Sequence, residues 1–270
     1  MTSAGAATGG RDEDAGAGRR RGRGSGPMSA VALPGIPEIR AGDDLAALLA
    51  AAAARLGGLR RGDVLVVAHK AVAKAEGRVV RLAGVEPGAR ALALAAEHGK
   101  DPRLVELILR ESVELVRADA GRLIARTRHG FVCANAGVDQ SNAGGEELAV
   151  LLPEDPDASA RALRARLGCA IVIGDSFGRA WRVGQAEVAI GCAGLAPLED
   201  WRGRPDSAGR LLRATHIAVA DQVAAAADLV RGKDTGEPAV RLRGLERHVL
   251  AGDGPGAAAL LRAAADDLFG

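Results

Sequence analysis

Two carboxylates, Asp139 and Asp175, each close an apolar run, and each has neutral oxygen or amide groups beside it. Asp139 ends the run in FVCANAGVDQSN (131–142), flanked by Asn135, Ser141 and Asn142, while Asp175 lies in CAIVIGDSFGRAWR (169–182) and is followed by Ser176. Carboxylate, hydroxyl, carbonyl and water oxygens are what Mg2+ and Mn2+ take as ligands. In phosphoryl transfer these ions join one or two Asp to nucleotide phosphates. Each acid taken alone reads as a turn former, because Asp and Ser side chains bond nearby backbone groups in loops.

Basic residues surround the pair. Arg179 and Arg182 carry forked donors suited to phosphate or carboxylate. Lys70 and Lys74 are two of four lysines in a chain that otherwise uses Arg, which points to a point-charge role, with exposed loop lysines as the alternative. Lys233 sits in a Gly-bounded turn, RGKDTGEP (231–238), and PGIP (34–37) is a rigid segment with free backbone groups; Gly and Pro alone mark turns more often than ligand cradles. No GxxxxGK[ST] occurs, and neither GRGSG nor GDGPG follows a strand and opens a helix, so P-loop and Rossmann nucleotide binding are not supported.

The elements that must hold these residues alternate from about residue 33, predicting a mixed α and β domain. Helices are expected at 43–58, 101–116, 155–168, 220–232 and 256–269, and strands at 62–70, within 169–182 and ending at Asp175, at 185–194 and at 238–244. GRLIARTRHGFVCANAG reads as a hairpin turning at His129-Gly130, whose second strand delivers Asp139. On this reading both acids stand where strands open onto a crevice, a common place for ligands in mixed sheets.

Composition narrows the function. The aromatic share is 2% and Tyr is absent, so bases have few rings on which to stack. Residues 1–27 hold five Arg against three acids and account for the chain's net charge of +2, leaving a neutral body over 28–270. That body lacks the basic excess of a duplex-binding domain, and no nucleic acid partner is expected. The tail is Gly-, Ala- and Arg-rich without apolar periodicity and reads as disordered. Cys133, Cys169 and Cys192 form no CxxC pair and sit in apolar runs, as in a reduced, cytoplasmic protein. No run approaches the roughly 20 apolar residues of a membrane span.

Taken in order, GIPEIRAGDDL, GDVLVVAHKAVAKAEGR, ANAGVDQSN, LLPEDPDASA, GDSFGRAWRVGQAEVAIGCAG and AVADQVAAAADLVRGK resemble the GTP-dependent coenzyme F420:L-glutamate ligase family over nearly all of the body. The resemblance implies a homodimeric α+β fold of mixed sheets with flanking helices. It implies a ligase that joins L-glutamate to coenzyme F420-0, and then successive γ-linked glutamates, through an acyl phosphate made with GTP. It also implies two Mg2+ or Mn2+ ions and stimulation by K+. On that basis Asp139, Asp175 and Ser176 match metal positions; Pro34, Gly35, Ile36, Pro37, Lys74 and Asn142 match GTP contacts, and the turn around Lys233 matches a nucleotide-lining segment. The family's usual SKxVSK reads HKAVAK here, with His69 and Ala73 where Ser is common, so the resemblance implies that a hydroxyl contact to GTP is replaced by the His69 imidazole or lost. Arg179 and Arg182 are assigned to phosphate or to the substrate's acidic groups. No second, reductase-like flavin domain is expected. The alternatives are a metal-dependent ligase or phosphoryl transferase with another carboxylate acceptor, or a non-catalytic nucleotide-binding partner.

Overall fold

The computed structural model describes residues 27–267. Its centre is a five-stranded sheet in the order β1 (Ser29–Ala32), β12 (Ala239–Arg243), β2 (Val64–Ala68), β8 (Ala170–Arg179) and β9 (Arg182–Ala193). β2 and β8 run parallel, and their other neighbours pair antiparallel. VLVVA is apolar at every position because both faces of β2 are covered. Leu65, Val67, Ile171 and Ile173 pack with α1 (Leu45–Ala54) and α5 (Pro156–Leu167). Val64, Val66, Ala170 and Val172 pack with α6 (Val219–Asp228) on the opposite face.

Local chemistry sets the helix ends. The Asp44 carboxylate accepts from Ala47 N at the start of α1, and Asp155 accepts from Ala158 N ahead of Pro156 at the start of α5. α5 stops at Gly168, whose left-handed backbone closes the last turn. A second core, including Val105, Ile108, Leu123 and Ala125, is built from α3 (Ala89–His98), α4 (Pro102–Glu111) and an antiparallel sheet of β4 (Ser112–Asp119), β5 (Arg122–Thr127) and β6 (Val132–Ala134). β3 (Val79–Arg81) pairs with β7 (Leu148–Val150), and β10 (Leu198–Asp200) pairs with β11 (His216–Ala218).

The α+β class holds, with four corrections to the expected elements. The helix expected over 101–116 ends at Glu111, and the chain continues as β4, where Val113 and Val116 suit a strand that pairs with β5. The strand expected to reach residue 70 stops at Ala68, and His69 and Lys70 open α2 (His69–Ala75). β8 runs past Asp175 to Arg179 and turns back as β9, so Asp175 lies within a long hairpin rather than at a strand's end. In place of a helix over 256–269, the described residues form two 3-10 turns, Ala257–Leu260 and Ala264–Asp266. The Asp157 carboxylate pins the first of them by accepting from Ala257 N and Ala258 N. The tail reading lies outside the described residues except at Pro27.

All three cysteines are buried and unpaired, and burial pushes each thiol up to about 12. Among the described residues no helix is long and apolar enough to cross a membrane.

Candidate active site

The parallel β2–β8 ladder places Ala68 opposite Gly174, so the residues that follow each strand position are neighbours in space. His69 Nδ1 lies 3.1 Å from Asp175 Oδ1, an oxygen that also accepts from Ser176 N at 2.7 Å. His69 is buried, and its Nε2 has no hydrogen-bond partner among the described residues.

Asp139 arrives from the other core. Beyond β6, Asn135, Ala136 and Gly137 all have positive φ and turn the chain tightly, and Asp139 then exchanges two backbone hydrogen bonds with Val150. Its Oδ2 accepts from Lys70 Nζ at 2.7 Å and from Ser141 Oγ at 2.9 Å, while Oδ1 accepts from Ser141 N at 2.7 Å. Burial pushes the Asp139 carboxyl up, but the bonds from Lys70 and Ser141 outweigh it and hold the group below the ordinary carboxylate range. Asn142, in the left-handed region that Asn tolerates, donates through Nδ2 to Lys233 O at 3.3 Å.

The third wall comes from β9 and the turn after α6. Ser176 pairs with Glu187 across the hairpin, and Ser176 Oγ donates to Glu187 Oε2 at 2.9 Å. Glu187 is buried and forms an ion pair with Arg231. Lys233 Nζ donates to Ser176 Oγ at 2.5 Å and to Asp228 Oδ1 at 3.2 Å. A bulge between Ile173 and Gly174 shifts the β8–β9 register just before this constellation. His69, Asp139, Asp175, Ser176, Glu187 and Lys233 line one cleft of about 620 Å³.

The profile of the F420-0:Gamma-glutamyl ligase family matches residues 35–244. This chain belongs to that family. It is accordingly an enzyme, a ligase. It is similar to the coenzyme F420:L-glutamate ligase of Methanothermobacter thermautotrophicus, 45% identical over 250 residues that cover 90% of this chain and 98% of the relative. The protein of the same name from Methanopyrus kandleri is 46% identical over 240 residues, covering 86% and 93%. That of Natronomonas pharaonis is 44% identical over 248 residues, covering 89% and 94%.

Of the residues singled out in the ligase's sequence, Pro37, His69, Lys74, Asp139, Asn142, Asp175, Ser176 and Lys233 line the cleft. Lys74 is buried, and its Nζ donates to Glu38 Oε1 at 2.5 Å. Pro34, Gly35 and Ile36 are not among the lining residues. Gly35 packs so closely on Arg55 that a Cβ would lie 2.1 Å from its Nη1, and Ile36 joins the core beside α1. Arg179 and Arg182 stand at the outer end of the β8–β9 hairpin, beyond the cleft lining. Arg179 donates to Val183 O at 2.8 Å, a contact within its own hairpin.

Sequence reading missed Glu187, Arg231 and Glu38. Only Glu187 left a trace, as a lone acid inside the apolar run QAEVAIGCAG.

The donor set suits a hard cation that shares its ligands with a nucleotide. Among the described residues no three His, Cys, Asp or Glu side chains converge to cage a metal alone. Two carboxylates and a hydroxyl facing one cleft suit Mg2+ or Mn2+, which take few protein oxygens and complete their shells with phosphate and water. Ammonium groups already sit on these oxygens, Lys70 on Asp139 and Lys233 on Ser176.

Proposed function

We propose that this ligase uses GTP to join L-glutamate through an amide to coenzyme F420-0, and then adds successive γ-linked glutamates. One observation carries the reading: Asp139 and Asp175–Ser176 face the same cleft as Lys70, Lys74 and Lys233, which sets oxygen ligands beside point charges for phosphate. The relatives' shared name supports the choice of substrates.

A free carboxylate is a poor electrophile, so amide formation needs it activated. The γ-phosphoryl group of GTP passes to the acceptor carboxylate, giving an acyl phosphate and GDP. The amine of L-glutamate then attacks the acyl carbon; the C–N bond forms, the bond to the phosphate oxygen breaks, phosphate leaves and the amine's surplus protons pass to solvent.

Asp139, Asp175 and Ser176 would hold one or two Mg2+ or Mn2+ ions, which neutralise charge on the phosphoryl oxygens when bound. Lys70, Lys74 and Lys233 supply further positive charge around the triphosphate. His69 fixes the Asp175 carboxylate through Nδ1, and Asn142 ties the Asp139 loop to the Lys233 turn, closing the cleft from two sides. Arg179 and Arg182 serve acidic groups of the substrate at the outer rim. K+ stimulation, a homodimer and a cytoplasmic setting complete the proposal.

The test is incubation of the purified protein with GTP, L-glutamate, F420-0 and Mg2+, followed by mass spectrometry and nucleotide analysis. The acceptor should gain a glutamyl residue for each GDP formed, and Asp175→Asn should lose both. GDP release without a mass gain would overturn the acceptor, and turnover with ATP alone would overturn the nucleotide.

A further inference from the structure

Glu187 is an acid with no role in the proposed chemistry, held in the wall of the cleft with its side chain 1% exposed. Burying a carboxylate costs free energy even when it is paired, and here the pairing guanidinium of Arg231 is itself buried at 7% exposure. The backbone also makes room for it: a Cβ on Gly174 would lie 2.6 Å from Glu187 Oε1. Besides Arg231, the carboxylate accepts from the hydroxyl of Ser176, and the Lys233 ammonium that sits on the same hydroxyl lies 3.8 Å from Glu187 Oε2.

A serine hydroxyl has one proton to donate and lone pairs to accept with. An ionised carboxylate only accepts, so the 2.9 Å contact directs the Ser176 proton toward Glu187 and leaves the Ser176 oxygen facing the cleft with lone pairs alone. The cation now on that oxygen is the Lys233 ammonium, at 2.5 Å. We infer that Glu187 is a positioning residue that keeps the Ser176 hydroxyl turned for cation binding, with Arg231 holding the carboxylate in place. The inference rests on the reading of Ser176 as a cation donor. It adds that the donor works because a buried acid directly opposite it on β9 sets its polarity.

The test is a Mn2+ titration followed by electron paramagnetic resonance, in the presence of GDP, on the wild type, Glu187→Gln, Ser176→Ala and the double variant. In Glu187→Gln the amide oxygen stays with Arg231 and the NH2 group donates to Ser176 Oγ, which turns the hydroxyl proton into the cleft. Mn2+ affinity should fall about tenfold or more. In the Ser176→Ala background, Glu187→Gln should change nothing further. An equal loss in both backgrounds, or no loss in the Ser176 protein, overturns the inference. Ser176→Ala with unaltered Mn2+ affinity overturns the cation-donor reading itself, a separate result. Circular dichroism checks folding; if the Gln variant does not fold, Glu187→Asp, which keeps the charge for Arg231 but falls short of Ser176, carries the same cycle with the same expected loss.

Discussion

His69 Nδ1 stands 3.1 Å from Asp175 Oδ1 because the parallel register that sets Ala68 beside Gly174 makes the residues that follow them on β2 and β8 neighbours. The donor matters more than the ring. His69→Leu should lower kcat/KM for GTP by about 10- to 100-fold, the range seen when partners behind a ligand are removed. His69→Asn, whose amide nitrogen falls near Nδ1, should retain most of the activity. Steady-state kinetics with a melting curve for each variant decides it. Equal losses would show that ring packing, not the contact from Nδ1 to the carboxylate, is what the site uses.

Lys70 and Asp139 predict a pH dependence. Burial raises the Asp139 pKa, and the bonds from Lys70 and Ser141 bring it below the unfolded value. A carboxyl shifted down adds stability that is present above its unfolded pKa and is lost as pH falls through the folded one, so this contribution fades only below about pH 4. Lys70→Met removes the strongest lowering contact and leaves burial in place. The acid limb of the kcat/KM profile should therefore move to higher pH, and a limb that does not move would show that Lys70 does not govern Asp139.

Where periodicity and end signals agree, the sequence is a good guide to the fold. The Asp155 cap, Pro156 and Gly168 mark α5 almost to the residue, and VLVVA marks β2. Legibility fails where a partner distant in the chain decides. Leu115 keeps helical spacing with Ile108 yet belongs to β4, because pairing with β5 captures it. The 256–269 segment looks helical, but the Asp157 carboxylate holds its first residues in a 3-10 turn. At the site, Asp139 and Asp175 stood out as acids ending apolar runs. Glu38 follows the Pro-rich turn PGIP and Arg231 ends a helical run, where a charged residue is ordinary, so only the folded contacts with Lys74 and Glu187 reveal them.

Arg182 lies on the exposed hairpin end, outside the cleft lining. Its expected work is on substrate acids that project from the cleft, not on the triphosphate. Arg182→Ala should raise KM for the acceptor or for glutamate by about two- to fivefold, the scale of an exposed charge contact, and leave KM for GTP unchanged. A shift in the GTP constant, or none in any constant, would remove Arg182 from substrate binding.

Gly174 should be the least replaceable small residue of the site. It lies in β8 between Ala68 and Ala189, and an added Cβ would meet Glu187 at 2.6 Å from Oε1, 3.0 Å from Cγ and 3.2 Å from Cδ. Glu187 cannot swing aside without leaving Arg231 and Ser176, so the methyl group either strains the strand or breaks a buried ion pair. Gly174→Ala should cost about 1–3 kcal/mol in urea unfolding. Gly178→Ala, in the same strand with nothing among the described residues within 4 Å of the new Cβ, should stay within about 0.5 kcal/mol. Truncating the neighbour tests the cause directly: in a Glu187→Ala background the new methyl has space, and the Gly174→Ala penalty should shrink. Because the two residues touch, non-additivity is what a steric conflict between them requires; an identical penalty in both backgrounds would place the strain elsewhere in the hairpin.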